Sequence, residues 1–489
     1  MSSSAEVLQN QRDAFGTSEP STANERIAKL KTLRKQLCRY QDVFADAVAD
    51  DFGGRPHFES RLIEVIGTLW VLDHARRNLK AWMKPSRRMP QMLFGGPNDL
   101  KVTYAPKGVV GIVTPWNMPL YLSIGPLVTA LAAGNRAIIK LPEETPRANA
   151  VIRTLLEEIF PADEVAVFGD ELTDPAEFTS LAFDHLIFTG SPRVGRIVME
   201  AAARNLVPVT LELGGKSPAI VAEDYSIVDA ALRIVHGKIA MAGQICVAPD
   251  YALVPEAKCD EFVQHVQRFF RQFYPRGTQD RPEYCSMVND RQAQRIDSLI
   301  ADASAKGATV TSCAPRAGGN RIPLQVVAGV TDDMRVAQEE VFGPILPVIT
   351  YKSVDEALDY VVARPHPLAL YLFSTSASTR DRIISRTQSG GITVNDWGWH
   401  VVNAAVPFGG VGNSGFGTYH GAEGFRELSN ERAVFTRHPT FPTQLFHPPI
   451  NSGPRGIFQR VAMNFYSGKG DPALGGTPYG ETRKYQDED

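Results

Sequence analysis

The chain has 489 residues, of which 43% are hydrophobic, 21% charged and 9% aromatic; this is the make-up of a folded protein with room for two or three cores, and it excludes a disordered or fibrous chain. Fifty-one basic against fifty-four acidic side chains leave a net charge of −3, so no broad attraction for nucleic acid or anionic lipid is expected and partners must be recognised by local chemistry. Five scattered cysteines, odd in number and without paired spacing, exclude a disulfide framework or a zinc site and fit a reducing, cytoplasmic setting.

The opening MSSSAEVLQNQRDAF lacks the basic region and apolar run of a secretion signal. From Asn24 to Phe52 the positions Ile27, Leu30, Leu33, Leu37, Tyr40, Phe44 and Val48 recur at three- and four-residue spacing, which predicts an amphipathic helix. A second helical pattern runs from Glu59 to Trp82, and the six basic residues of RRNLKAWMKPSRR at its end read as a solvated helix end. Beyond Pro85, short apolar runs (VTYAP, GVVGIV, RAIIK, VAVF, HLIFTG, PVTLEL, PAIVA) alternate with helical stretches such as Arg147–Ile159 and Val194–Asn205. Alternation of this kind predicts a parallel sheet with crossover helices. Within it, Gly108–Asn135 carries no charge and is long enough to cross a membrane. Pro115, Asn117, Pro119 and Pro126 would break such a helix repeatedly, so a buried strand Val109–Val113, a turn and a buried helix are expected instead, with no membrane contact.

A second alternating region, from Asp229 to about Asn395, includes YALVP, the helix Lys258–Phe273, ATVTSC, ILPVITY and the helix Val354–Ala363, and predicts a second α/β domain. From His447 onward seven glycines and five prolines in 43 residues predict a tail that wraps the surface or stays mobile. Its one candidate helix is GIFQRVAMNFY, residues 456–466, expected to pack on the protein rather than on lipid.

Four segments carry chemistry. In HLIFTGSPRVGRIVMEAAARN a β-type run ends at Gly190, Ser191 can cap, and Pro192 suits a first helical turn. Backbone N–H groups at such a helix start seat a phosphate group, although Gly190-x4-Gly195 also suits a tight turn with close helix packing. Lys140 ends a buried strand, where open parallel sheets bind ligands, and Glu143 is a carboxylate able to accept bonds from a ribose diol; both also suit a plain surface. Glu212, inside an apolar strand pattern, is either a structurally paired carboxylate or a general base of raised pKa. Cys246, three residues after Gly243, is either a small buried hydrophobe or a nucleophile whose neighbouring N–H groups meet a developing oxyanion. Cys38, Cys259, Cys285 and Cys313 are read as structural.

Taken together and in order, TPWNMPL (114–120), FTGSPRVG (188–195), LELGGKSP (211–218), GQICVAPD (243–250), EEVFGP (339–344) and PFGGVGNSGFGTYHG (407–421) resemble the NAD(P)-dependent aldehyde dehydrogenase superfamily over roughly residues 5 to 440. GQICVAPDY and PFGGVGNSG with TYHG look like its class 3 branch; DDFGGRPHFESRLIEV and LKAWMKP look most similar to its coniferyl aldehyde dehydrogenase group.

The resemblance implies an α/β fold with two Rossmann-like domains and a small β oligomerisation arm. Residues 1–85 with 108–211 would bind NAD, 212–403 would form the catalytic domain, 86–107 with 404–440 the bridging segments of a homodimer, and 441–489 a tail. Cys246 would be the nucleophile, Glu212 the base that activates water, and Asn117 with the Cys246 N–H the oxyanion donors. Thr114, Pro115, Trp116, Lys140, Glu143, Gly190, Ser191, Gly195, Leu213, Glu340 and Phe342 would hold the cofactor, without a metal. Where the family reads Lys-Pro-Ser-Glu this chain reads Lys140-Leu141-Pro142-Glu143, and Glu143 would favour NAD over NADP by repelling a 2′-phosphate, with NADP still possible. Met118, Tyr121, Trp397, Trp399, Phe408 and His420 would wall an apolar slot for an aromatic aldehyde, with medium- or long-chain aliphatic aldehydes as the alternative. Rival readings are a CoA-acylating relative, a binding protein without turnover, and a Cys–His hydrolase using His236.

Overall fold

Apolar periodicity and capping decide the first elements. Thr22 caps the helix Ala23–Asp51 through a reciprocal bond pair with Glu25, and Leu30, Leu33, Leu37, Phe44 and Val48 form its buried face. The helical pattern from Glu59 onward resolves into a π-helical turn, Ser60–Ile66, running into the α-helix Gly67–Trp82. The computed structural model describes residues 3–90, 98–172, 174–279, 281–316, 318–449 and 453–466.

In chain order the strands are β1 (Ser86–Arg87), β2 (Asp99–Pro106), β3 (Val109–Val113), β4 (Arg136–Lys140), β5 (Val165–Phe168), β6 (His185–Gly190), β7 (Val209–Leu213) and β8 (Pro218–Val221). They continue with β9 (Tyr251–Pro255), β10 (Thr309–Ser312), β11 (Gln325–Ala328), β12 (Ile345–Tyr351), β13 (Ala369–Phe373), β14 (Gly391–Val394), β15 (Gly415–Phe416) and β16 (Ser429–Thr436). One sheet has the order β15-β7-β6-β3-β4-β5, parallel except for β15, and a second has the order β10-β11-β12-β9-β8-β13-β14, parallel except for β10. Both belong to one compact unit, residues 1–84 with 104–432. A second unit, residues 85–103 with 433–489, holds β1, the first part of β2 and the last part of β16, strands of a three-stranded sheet of order β1-β2-β16.

The uncharged stretch is a strand, a turn and the helix Tyr121–Ala133, of which every residue is buried. That helix runs through Pro126 instead of breaking there, because burial on all sides outweighs the single backbone bond the proline removes. Residues 404–428, expected in a bridging segment, instead lie in the larger unit: Gly415 and Phe416 pair with Glu212 and Leu211 on β7. Glycine at 415, with φ near +115° and its missing Cβ directed at the Leu211 carbonyl, permits that approach.

In the tail, Gly453–Tyr466 is helical as expected. It packs on Thr443–Phe446 with Phe458 against Phe446, yet Ile457, Val461 and Met463 stay exposed, so its apolar face is only partly covered. The tail beyond residue 466 lies outside the described residues.

Candidate active site

The first sheet reverses its winding between β3 and β6, and ligands of open α/β sheets bind beyond the carboxyl ends at such a point. Pro115, Trp116 and Asn117 follow β3; Gly190 and Ser191 end β6; Leu213 and Gly214 end β7; all line a cavity of about 1060 Å³. Ser191 caps the helix Pro192–Ala203, its side chain accepting from Val194 N–H and its carbonyl from Gly195 N–H, and Pro192 takes the first turn; Ser191, Pro192 and Arg193 line the cavity, Gly195 does not. A Cβ there would come 2.6 Å from Leu213, so glycine lets the helix sit directly on β7.

Glu212 pairs in register with Thr189 on one side and Gly415 on the other. Its carboxyl group is buried, neither oxygen has a hydrogen-bond partner among the described residues, and burial pushes its pKa up to about 8. Cys246 lines the same cavity. It follows three successive left-handed residues, Met241, Ala242 and Gly243 (φ 49°, 52° and 76°), a conformation disfavoured for the two that are not glycine. Gly243 is required there, since a Cβ would strike the Gly343 carbonyl. Burial and the nearby Glu212 and Glu340 push the Cys246 thiol up, while its own N–H and that of Val247 bond the sulfur and pull the other way. Asn117 is buried and donates through Nδ2 to the Gln244 carbonyl at 3.0 Å.

The opposite wall is the loop of Glu340 and Phe342. Glu340 is pushed up to about 8 by burial and by Asp250, and Gly214 leaves it room, because a Cβ there would overlap its carboxyl group. Phe342 adopts φ +45° and meets Trp116 edge-on at 5.4 Å. Three side chains hold this loop: Arg295 donates to the Val341 carbonyl at 2.7 Å and to the Glu340 carbonyl; Lys216 donates to the Val336 and Glu339 carbonyls at 2.8 and 3.0 Å and pairs with Asp250; Asp250 accepts from Val341 N–H at 2.8 Å. Lys216 and Asp250 stood inside quoted motifs without an assigned role; Arg295 had no local signal.

Thr114, Lys140 and Glu143 lie outside the walls of this cavity. Thr114 N–H donates to the Lys140 carbonyl at 3.0 Å across the β3 and β4 ends, and buried Lys140 pairs with half-exposed Glu143.

A second, largely apolar cavity of about 1180 Å³ flanks the same segments from the other side, lined by Met118, Tyr121, Ile245, Val247, Trp397 and Trp399 among others. Trp397 donates to His236 Nδ1 at 3.0 Å and Trp399 to Asp396 at 2.7 Å, so each indole has its polar edge satisfied. Phe408 and His420 do not line it, which corrects that part of the expected slot. They are buried behind Tyr121, whose hydroxyl meets His420 Nε2 at 3.3 Å, and their rings pack on each other. Arg55, Glu64 and Gln244, which the sequence reading did not single out, are buried around Asn117.

The aldehyde dehydrogenase family model matches residues 3–434. A probable coniferyl aldehyde dehydrogenase of Pseudomonas aeruginosa is 45% identical over 443 residues, covering 91% of this chain and 93% of that protein. Among solved structures, the substrate-bound state of Staphylococcus aureus AldH superposes with a TM-score of 0.88 at 36% identity, covering 95% of this chain and all of that one. A Mycobacterium tuberculosis aldehyde dehydrogenase complexed with NAD+ gives 0.81 at 29% identity, covering 90% of this chain and 92% of that one. With the fold and nearly the full length matched, the chain belongs to the aldehyde dehydrogenase family and is an aldehyde oxidoreductase.

Proposed function

We propose that the protein oxidises an aromatic aldehyde of the coniferyl type to its carboxylic acid with NAD, through a covalent intermediate on Cys246. The observation that carries this reading is the meeting of a buried, unpartnered carboxyl group, Glu212, with Cys246 and Asn117 in one cavity beside a helix start. The name of the Pseudomonas aeruginosa relative supports the substrate class, and the NAD+ complex of the Mycobacterium tuberculosis neighbour supports the cofactor.

The residues present fit a dinucleotide. Gly190, Ser191 and the start of the helix Pro192–Ala203 would seat the pyrophosphate, Gly195 with Leu213 would set the floor, and Pro115, Trp116, Glu340 and Phe342 would flank the nicotinamide and its ribose. Thr114, Lys140 and Glu143 at the β3 and β4 ends would take the adenosine side, with Glu143 disfavouring a 2′-phosphate. A bound nicotinamide supplies the acceptor for one hydride from the substrate carbon.

Cys246 Sγ loses its proton to solvent and adds to the aldehyde carbon, forming the C–S bond of a thiohemiacetal anion as the carbonyl π electrons move to the oxygen. The second N–H of the Asn117 amide, beyond the one bonded to Gln244, and the Cys246 N–H donate to the substrate oxygen. Loss of hydride leaves a thioester. Glu212 takes a proton from water, the hydroxide adds to the thioester carbonyl, and cleavage of the C–S bond frees the acid and restores Cys246.

The sheet containing β3–β7 would serve as the cofactor domain and the sheet containing β8–β14 as the catalytic domain, with β2 and β16 as the arm of a homodimer, which light scattering tests through the mass in solution. No helix among the described residues is long and apolar enough to cross a membrane, and a cytoplasmic enzyme is our reading. A second reading, medium- or long-chain aliphatic aldehydes, draws on the size of the apolar cavity and on flexible Met118 in its wall. Steady-state kcat/KM with coniferaldehyde, benzaldehyde and decanal, each with NAD and NADP, tests both: coniferaldehyde with NAD is expected to lead by at least tenfold, and a lead for decanal overturns the aromatic assignment. Acyl-CoA formation on adding CoA would overturn hydrolysis by Glu212.

A further inference from the structure

Arg55 is charged, fully buried, and touches both halves of the site. Its Nη2 lies 2.7 Å from Glu64 Oε1, with both side chains sealed from solvent. Its Nη1 donates to the Asn117 carbonyl at 2.9 Å, and its Nη2 lies 3.4 Å from Met241 Sδ, in the left-handed turn before Cys246. Glu64 stands in the π-helical turn Ser60–Ile66, and its Oε2 accepts from Leu120 N–H at 2.8 Å and Tyr121 N–H at 3.4 Å, where the helix after Asn117 begins. Glu59, on the same segment, accepts from Met241 N–H at 3.2 Å. Gln244, which accepts the Asn117 amide, is itself fixed through the Met241 and Ser286 carbonyls at 2.9 Å each and Val288 N–H at 3.0 Å.

The turn bearing Asn117 is therefore gripped at its carbonyl by Arg55 and at its far end by Glu64, while the same guanidinium touches the turn that leads to Cys246. A buried ion pair is a poor device for stability alone, since two apolar residues of similar volume often serve as well. The pair does what an apolar pair cannot: one guanidinium reaches the Asn117 carbonyl, Glu64 and Met241 at once, while the Glu64 carboxyl group accepts from Leu120 and Tyr121 N–H. π-Helical turns likewise concentrate at functional sites.

We propose that the Arg55–Glu64 pair is a positioning unit that aims the Asn117 amide at the oxygen bound over Cys246, and so sets the rate of the oxidation step. The inference rests on the roles given to Asn117 and Cys246 under the proposed function. Glu64 lines neither cavity and Arg55 borders only the apolar one; both act through Asn117 and the turn before Cys246.

The test uses the full-length enzyme in excess over aldehyde at saturating NAD, reading the single-turnover rate of NADH formation per Cys246 thiol titrated with iodoacetamide, alongside Tm. The double variant Arg55→Met/Glu64→Met removes both charges and is expected to keep its Tm while its rate falls about 10- to 100-fold, the scale of a displaced catalytic group. Arg55→Lys keeps the charge but cannot bridge Asn117, Glu64 and Met241 together; it is expected to lose at least fivefold at wild-type Tm. Introduced into Asn117→Ala, the double change should cost nothing further, because its target is gone. A rate within twofold of wild type in either Arg55 variant, or the full further loss in the Asn117→Ala background, overturns the proposal. An unchanged rate in Asn117→Ala alone overturns the oxyanion reading and this inference with it, whereas loss in Asn117→Ala with none in the Arg55 variants overturns only the positioning role.

Discussion

The two cavities share a wall and differ in what builds it. Asn117 and Cys246 line one, while their chain neighbours Met118, Ile245 and Val247 line the other. At and around the first cavity, glycine permits close approach: Gly195 against the Leu213 side chain, Gly214 against the Glu340 carboxyl group, Gly243 against the Gly343 carbonyl. On the apolar side the walls are side chains on separate helices and loops, such as Trp70, Tyr274, Trp397 and Trp399. Backbone approach allows few sequences, whereas an apolar wall accepts any side chains of suitable volume. We therefore propose that the first cavity carries the chemistry and that the second carries choice of substrate.

That division is broken most directly at the sulfur. Cys246→Ala is expected to abolish NADH production while NAD still quenches Trp116 fluorescence; turnover in that variant would remove the thiol from the mechanism. Next in size, Glu212→Gln should release about one NADH per site and then stall as thioester, with steady-state turnover down about 10²–10⁴-fold, the usual range for a lost acid–base group. Intact mass during the stall should show the acyl adduct, and unmodified enzyme would refute the assignment.

The same residue gives the pH dependence. In the proposed mechanism Glu212 acts as the base, and with its pKa pushed up to about 8 thioester hydrolysis should rise as pH increases through 8 and level above it. Its pKa is raised above the ordinary 4.5, so the folded state keeps a proton that the unfolded chain releases; this contribution to stability is complete below about 4.5 and is lost as pH rises through about 8. The Tm advantage of Glu212→Gln over wild type should therefore grow across that window, and a pH-independent difference would place the carboxyl group elsewhere.

Smaller effects separate the two cavities further. Trp399 lines the apolar cavity and is 60% exposed, and we propose that it contributes contact rather than chemistry. Trp399→Ala should raise KM for coniferaldehyde by about two- to tenfold with kcat nearly unchanged, the signature of uniform binding and the scale of one aromatic contact. A fall in kcat equal to the fall in kcat/KM would move Trp399 into the transition state. Glu143→Ala should raise kcat/KM with NADP relative to NAD by about tenfold or less, as expected for one exposed like charge; no change would take Glu143 out of cofactor choice.

Legibility followed the same line. Strand and helix positions were readable wherever period and glycine punctuation agreed, as in HLIFTGSPRVG, where strand end, cap and proline fall at the residues expected. The uncharged stretch likewise follows the expected strand, turn and buried helix, Tyr121–Ala133, which takes Pro126 within it. Phe408 and His420 were misplaced because being aromatic and near a glycine motif does not say which way a ring faces; packing behind Tyr121 decided that. Arg55 and Glu64 stood inside a quoted motif without a role, because their contacts to Asn117 and Leu120 join segments more than fifty residues apart.

The sequence by itself determined the two alternating α/β regions, the order of the motifs and the residue types able to attack, activate and cradle, because local periodicity and backbone geometry are written in neighbouring residues. Only the tertiary structure decided that Glu212 lacks a partner, that Arg55 reaches both Asn117 and the turn before Cys246, and which aromatic rings face the apolar cavity. Burial and long-range pairing depend on which distant segments close over a side chain, and no local pattern encodes that.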